Sequence, residues 1–335
     1  MGSKLSKTAI FVAVARAVGA REPDVVARNP DFLAEKILGD AWVELGEHPI
    51  ATAFAQSYEE AMKDLEIVRH VRTMIVRTRF MDEVITEAHG AGIRQIVIFG
   101  AGLASYAYRH RELLSDSRVF EVDRPAMRIF KTQRVDQLFG DVGDGVRYVS
   151  MDLGKDDPHS VLRLNHYDCE KRTLFLLEGL SMYLSNHCMG CLLRFISRSC
   201  PGSYIAFDYL SLELVYFMNR VKTAMVPAEN RPAFERSLQL IREEPWVFGL
   251  TLGAEEGYLA PFRIRIQQQL DIGADEARCR YLTRSDGSIV GGEAVSQVTA
   301  PYGEPSLLIG RRANLQRLRS RRRLMSPHLI EGMVI

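Results

Sequence analysis

The sequence predicts an α/β protein built on a mostly parallel sheet. Three observations carry that expectation. From residue 93, apolar runs of strand length alternate with helical stretches, the pattern of βαβ units. One run, Ile96-Val97-Ile98-Phe99, opens directly onto Gly100-Ala101-Gly102. A strand that ends in G-x-G before a helix is a nucleotide-binding turn. Finally, the successive strand ends present Gly100, Asp123, Asp152, Glu178 and Asp208, and ligands of open α/β sheets bind beyond those carboxyl ends.

Residues 1–90 read as helical. Ser6-Lys7-Thr8-Ala9 opens a first helix and Glu22-Pro23-Asp24 breaks it. The stretch from Tyr58 to His89 carries long helical patterning, with Phe80, Val84, Ile85 and Ala88 on one face, and Gly90 to Gly92 ends it. Arg72, Arg77 and Arg79 crowd that helix, and a solvated basic face is the ordinary reading of Arg72 and Arg79. Strands are expected at 93–99, 119–122, 146–151, 173–177, 204–207, 262–270 and 306–309, seven in all. Ala101 to Leu114 is expected as the first crossover helix, and Pro125 suits the first position of the next. Cys188, Cys191, Leu192, Phe195, Ile196 and Ser199 fall on one helical face, ended by Pro201-Gly202. Residues 211–245 interrupt the alternation, and an insertion after a strand end is a candidate lid. The expected organisation is a helical extension over 1–92 and a sheet domain over 93–335, with the lid at about 211–245.

Composition narrows the function classes. Charged residues make up 25% and the net charge is +1, which gives no general drive towards nucleic acid or membrane. There is no apolar run of the roughly 18 residues that a membrane span needs. Five cysteines at irregular spacing read as reduced thiols in a cytoplasmic protein. Cys188-x-x-Cys191 has no second pair, so no metal is expected. Seven arginines between Arg311 and Arg323 read as a solvated terminal element.

The strand-end residues select the ligand. An acid about 20 residues after the glycines suits the ribose hydroxyls of an adenosine cofactor, a role for Asp123. The third glycine of G-x-G-x-x-G is absent, because Ser105 stands there, which argues against a nicotinamide cofactor. S-adenosylmethionine needs a ribose acid, a polar partner for adenine and groups for its amino-acid end; Asp123, Asp152 and Glu178 are placed for those needs. An N-cap on the following helix is the plain alternative for any one of them.

Several runs resemble the leucine carboxyl methyltransferase family, in particular its branch of small-molecule S-adenosylmethionine-dependent methyltransferases. They are Ser6-Lys7-Thr8-Ala9 with Ala15-Arg16-Ala17, Val76 to Asp82, Gly100 to Leu103 with Ala107-Tyr108-Arg109, Phe120 to Pro125, Asp152-Leu153, Glu178-Gly179-Leu180 with Met182-Tyr183-Leu184, Ala206 to Tyr209, and Glu244-Pro245-Trp246. The resemblance implies a class I, Rossmann-like methyltransferase fold with S-adenosylmethionine as cofactor. It implies that Arg77 pairs with the carboxylate of the cofactor's methionine part, and that Gly100 and Gly102 face that part. Asp123 would accept from the ribose, Asp152 and Leu153 would hold adenine, and Glu178 would lie near the amino group. Tyr183 and Tyr209, both within the matching runs, are the expected acceptor contacts. The family usually reads Leu-Asp-Thr-Arg after the glycines, whereas this chain reads Leu103-Ala104-Ser105-Tyr106.

No catalytic base stands out. None of the eight histidines sits at a strand end, which favours a carboxylate acceptor, already ionised at neutral pH, over an alcohol or phenol. The acceptor is expected to be a small molecule or a peptide carboxylate. A binding protein that keeps the cofactor site without catalysis, and methyl transfer to nitrogen or carbon, stay open. Gly179-Leu180-Ser181-Met182-Tyr183 lacks the closing glycine of a hydrolase elbow.

Overall fold

The computed structural model describes residues 4–140, 145–220, 231–292 and 306–312. Five helices precede the sheet: α1 (Lys7–Ala20), α2 (Ala34–Leu38), α3 (Pro49–Ala55), α4 (Tyr58–Ala61) and α5 (Leu65–Gly90). Ser6 caps α1 by accepting the Ala9 amide at 3.1 Å. Asp64 does the same for α5 through the Glu66 and Ile67 amides. That cap, with the turn that ends α4, divides the long helical stretch read from Tyr58 to His89.

The sheet has seven strands: β1 (Gln95–Phe99), β2 (Arg118–Asp123), β3 (Val146–Ser150), β4 (Thr173–Leu177), β5 (Tyr204–Tyr209), β6 (Ile264–Asp271) and β7 (Ser306–Arg312). Their order is β3-β2-β1-β4-β5-β7-β6. The five strands from β3 to β5 run parallel, and β7 is antiparallel to both neighbours. Every residue of β1, β4 and β5 is buried, as central parallel strands covered on both faces require. One face packs under α1 and α5, where Ile10, Val14, Ile75 and Val84 share a core with Ile96, Ile98, Leu174 and Leu176. The other face packs Phe99, Phe120, Phe175 and Phe207 against Leu192, Phe195 and Ile196 of the helix Asn186–Ser197.

The first crossover is mostly turn. Of residues 101–114, only α6 (Tyr106–Arg109) is helical. Ser105 stands at its N-cap but makes no cap bond, because its hydroxyl donates to Asp31 and accepts from Arg109. Arg109 is drawn to Asp82 of α5 by two bonds of 2.7 and 2.8 Å, and Tyr108 reaches Glu121 on β2 at 3.0 Å. These tertiary bonds override the helical propensity of the stretch. The next crossover, α7 (Pro125–Phe139), has Pro125 in its first turn and ends at Gly140.

Arg72 and Arg79 do not form a solvated face. Arg72 is buried and donates to the carbonyls of Val290 and Gly292, while Arg79 donates to those of Val25 and Arg28. Of the lid interval, the helices Leu212–Arg220 and Arg231–Glu243 are described and residues 221–230 are not. The arginine-rich tail lies outside the described residues beyond 312; Arg311 belongs to β7, with its guanidinium 5.5 Å from the Tyr204 ring centre. Among the described residues, no helix is long and apolar enough to cross a membrane.

Candidate functional site

A cavity of about 560 Å³ opens at the carboxyl ends of β1, β2, β3 and β4. Its floor is the Gly100–Ala104 turn, one wall is the Asp123 and Asp152–Gly154 loops, and the other is Glu178–Leu180 with Tyr183. Helix α1 forms the roof. Thr8, Val12 and Arg16 line the cavity at i, i+4 and i+8, one stripe of that helix. Ser6, Glu244 and Pro245 stand at the rim.

The glycine turn needs its glycines. Gly100 and Gly102 have φ of 61° and 48°, the left-handed region that side-chain-bearing residues rarely occupy. A Cβ on Gly100 would meet Leu180 at 2.9 Å. The turn is tied to β2 through Asp123, which accepts the Gly102 amide at 2.7 Å and the Arg124 amide at 2.7 Å. Burial pushes the Asp123 carboxyl up, and the two amides only partly offset that. Asp152 accepts the Gly154 amide at 3.0 Å and pairs with Lys155 at 2.9 Å, a bond that lowers its pKa.

Glu178 is the most heavily bonded group in the cavity. Its Oε1 accepts from Arg16 Nη2 and from Arg77 Nε at 2.8 Å, and its Oε2 accepts from Tyr106 at 2.6 Å. Burial works against its charge, but the Arg16 and Arg77 guanidiniums outweigh burial and hold it at about 2. Arg77 also donates to Asp208 at 3.1 Å, and Asp208 accepts the Gly179 amide at 2.7 Å. Burial raises the Asp208 carboxyl despite Arg77. Tyr106 lies between Arg16 and Arg109, whose guanidiniums are 5.9 and 5.1 Å from its ring centre.

Arg77, Gly100, Gly102, Asp123, Asp152, Leu153, Glu178 and Tyr183 therefore all line one cavity. Tyr209 does not line it. It is fully buried on the sheet, with its hydroxyl donated to Glu255 at 2.8 Å, so it has no free face for an acceptor. Ala104, at the position of the family's aspartate, lines the cavity, while Ser105 and Tyr106 are spent on Asp31 and Glu178. Sequence reasoning gave Arg16, Ser6, Thr8 and Glu244 no part in the site, although all four lie in the runs that resemble the family. Arg16 left a second trace, as a lone charge inside the apolar run from Ile10 to Val18.

A family model described as leucine carboxyl methyltransferase matches residues 9–197. A protein of Mycolicibacterium smegmatis named "Putative S-adenosyl-L-methionine-dependent methyltransferase" is 34% identical over 213 residues, which span 63% of this chain and 68% of its own. A protein of Mycobacterium avium bearing the same name is 35% identical over 213 residues, 62% of this chain and 68% of its own. Among solved structures, that of a DUF574 family protein from Streptomyces avermitilis is 14% identical and superposes with a TM-score of 0.49, over 92% of this chain and 98% of its own.

Proposed function

The chain belongs to the leucine carboxyl methyltransferase family, and from that premise we propose that its cavity directs a methyl group onto an oxygen, a carboxylate or hydroxyl of a small molecule or peptide terminus. The protein is an S-adenosylmethionine-dependent methyltransferase. Bound in the cavity, the cofactor supplies a methyl group on a sulfonium, open to in-line displacement by a nucleophile.

The residues fit that cofactor. The turn leaves backbone exposed to the cavity, since Gly100 has no room for a Cβ beside Leu180 and Gly102 takes a left-handed φ that disfavours a side chain. Asp123 keeps a half-buried carboxylate beside the turn for two vicinal hydroxyls, and Asp152 with Leu153 borders the same wall for the adenine. Glu178, held ionised, suits an ammonium, and Arg77 suits a carboxylate. Residues 1–92 act in this reading as a roof rather than a separate unit, since α1 covers the cavity.

The observation that favours a carboxylate over a hydroxyl is the chemistry left over. No histidine or lysine lines the cavity among the described residues. Burial raises the Tyr183 hydroxyl, so it stays protonated and donates rather than removes a proton. The rim carboxylates are engaged with the first turn of α1, Glu244 through its Oε2 with Ser6 and Thr8 and Glu243 with Lys7. A carboxylate arrives ionised and asks only for alignment and exclusion of water. The test is to incubate the protein with labelled cofactor and matched panels of carboxylic acids, phenols and amines. Label released by mild base identifies an ester. Base-stable label on amines alone would overturn the proposal.

A further inference from the structure

We infer that Arg16 is a second cofactor ligand, joining Arg77 to form a two-guanidinium seat for the carboxylate of the cofactor's amino-acid end. The inference rests on the reading of this cavity as the S-adenosylmethionine site. Arg16 sits in the middle of α1 among Ala13, Val14, Ala15, Ala17 and Val18, all of them buried, and is itself only 3% exposed. A guanidinium is costly there unless its donors find acceptors. They largely do not. Together Arg16 and Arg77 make three side-chain hydrogen bonds among the described residues, two of them to the single oxygen Glu178 Oε1. Arg16 Nε is buried without any acceptor, and Asp31, the second acid near Arg16, stays 3.7 Å away, beyond a good hydrogen bond.

Glu178, Asp208 and Asp31 already balance the charge of the two guanidiniums, but the N–H groups left over on the wall of a cavity describe a place for one more acceptor, which a carboxylate fills best. Of the cofactor's groups only the α-carboxylate is anionic. The adenosine end is accounted for by Asp123 and Asp152 on the opposite wall, and Glu178 between the two arginines is placed for the ammonium. The seat thus reads the amino acid as a zwitterion, with the carboxylate on the guanidiniums and the ammonium on the acid they share. Because Arg16 comes from the roof and Arg77 from α5, the cofactor carboxylate would also tie the roof to the body of the fold.

Calorimetry on the full chain with three ligands separates the possibilities: S-adenosylhomocysteine, decarboxylated S-adenosylmethionine, which keeps the ammonium, and methylthioadenosine, which has neither group. Arg16→Gln should weaken S-adenosylhomocysteine about ten- to a hundredfold and leave the other two within about twofold. Arg16→Lys, which keeps the charge and loses the fork, should show the same selectivity with a smaller loss, and it carries the comparison if the glutamine variant fails to fold. If S-adenosylhomocysteine binding is unchanged, Arg16 is no ligand. Equal losses for the homocysteine and decarboxylated ligands would make it a strut for Glu178 instead. Both results overturn the inference while leaving the cavity's function standing. A wild-type protein that binds none of the three overturns the cofactor reading together with it.

Discussion

Asp123 Oδ2 accepts the backbone amide of Gly102 at 2.7 Å. One carboxylate therefore does two jobs. It clamps the glycine turn to β2, and it presents its remaining lone pairs to the cavity. The clamp explains how a turn with two left-handed glycines holds one shape before any ligand arrives.

Asp123→Ala should weaken S-adenosylhomocysteine binding by roughly 1.5–3 kcal/mol, since a charged acceptor to the ribose hydroxyls is lost. Asp123→Asn keeps an acceptor for the Gly102 amide and should lose less. Titration calorimetry on both variants checks the order. Equal dissociation constants for Asp123→Ala and the parent would remove Asp123 from the site.

The paired arginines make a pH-dependent prediction. Glu178 has its carboxyl held at about 2, below its ordinary 4.5. A depressed carboxyl contributes stability that is present above 4.5 and is lost as pH falls towards about 2. Glu178→Gln removes the one acid hydrogen-bonded to the buried Arg16 and leaves Arg77 with Asp208 alone, and should cost about 3–5 kcal/mol near neutral pH. The gap between parent and variant should then narrow as pH drops through that window, because the parent protonates its own Glu178. Asp123 is shifted upward by burial, the opposite sense, but both proteins share it and it cancels in the difference. Asp208 is raised by burial and in part by Glu178, so removing that charge relieves Asp208 and trims the gap near neutral pH without reversing it. Urea unfolding at a series of pH values measures the gap. A gap independent of pH would mean that the charge on Glu178 does not stabilise the cluster.

How much of this was legible in the sequence depends on the kind of signal each residue leaves. The strands announced themselves because a parallel sheet covered on both faces needs unbroken apolar runs, and Thr173–Leu177 is such a run. The acids at their ends followed from topology, since a residue that ends a parallel strand lies at the ligand edge. The segment from Ala101 to Leu114 misled because its composition favours a helix, while Ser105 and Arg109 are claimed by Asp31 and Asp82 from α5 and the loop before α2. Arginines were the weakest point. Arg72 and Arg79 satisfy backbone carbonyls far away in sequence, and Arg16 meets an acid on β4's end. A charge on a helix carries no local sign of whether water or a distant carboxylate will meet it.

The rim of the cavity yields the last prediction. Glu244 Oε2 accepts the Ser6 hydroxyl at 2.9 Å and the Thr8 amide at 3.3 Å, so the residue after the helix Arg231–Glu243 is bonded to the first turn of α1. The arrangement is favourable at that end, because the first amides of a helix are unpaired and its dipole attracts negative charge. Pro245 then fixes the exit of the chain, and Trp246 donates to the Tyr183 hydroxyl at 3.4 Å, within weak hydrogen-bond range. Ser6, Thr8, Glu244 and Pro245 all line the cavity, so this clasp stands where a bound ligand would be held in. Glu244→Ala should therefore speed release of S-adenosylhomocysteine about tenfold or more, the equivalent of losing one to two bonds to a charged acceptor. The neighbouring pair of Lys7 and Glu243, at 2.9 Å but solvent-facing, should contribute little, so Lys7→Ala should leave the release rate nearly unchanged. Stopped-flow displacement of a fluorescent cofactor analogue measures both rates. If Glu244→Ala releases no faster than Lys7→Ala, the contact between Glu244 and α1 does not gate the cavity.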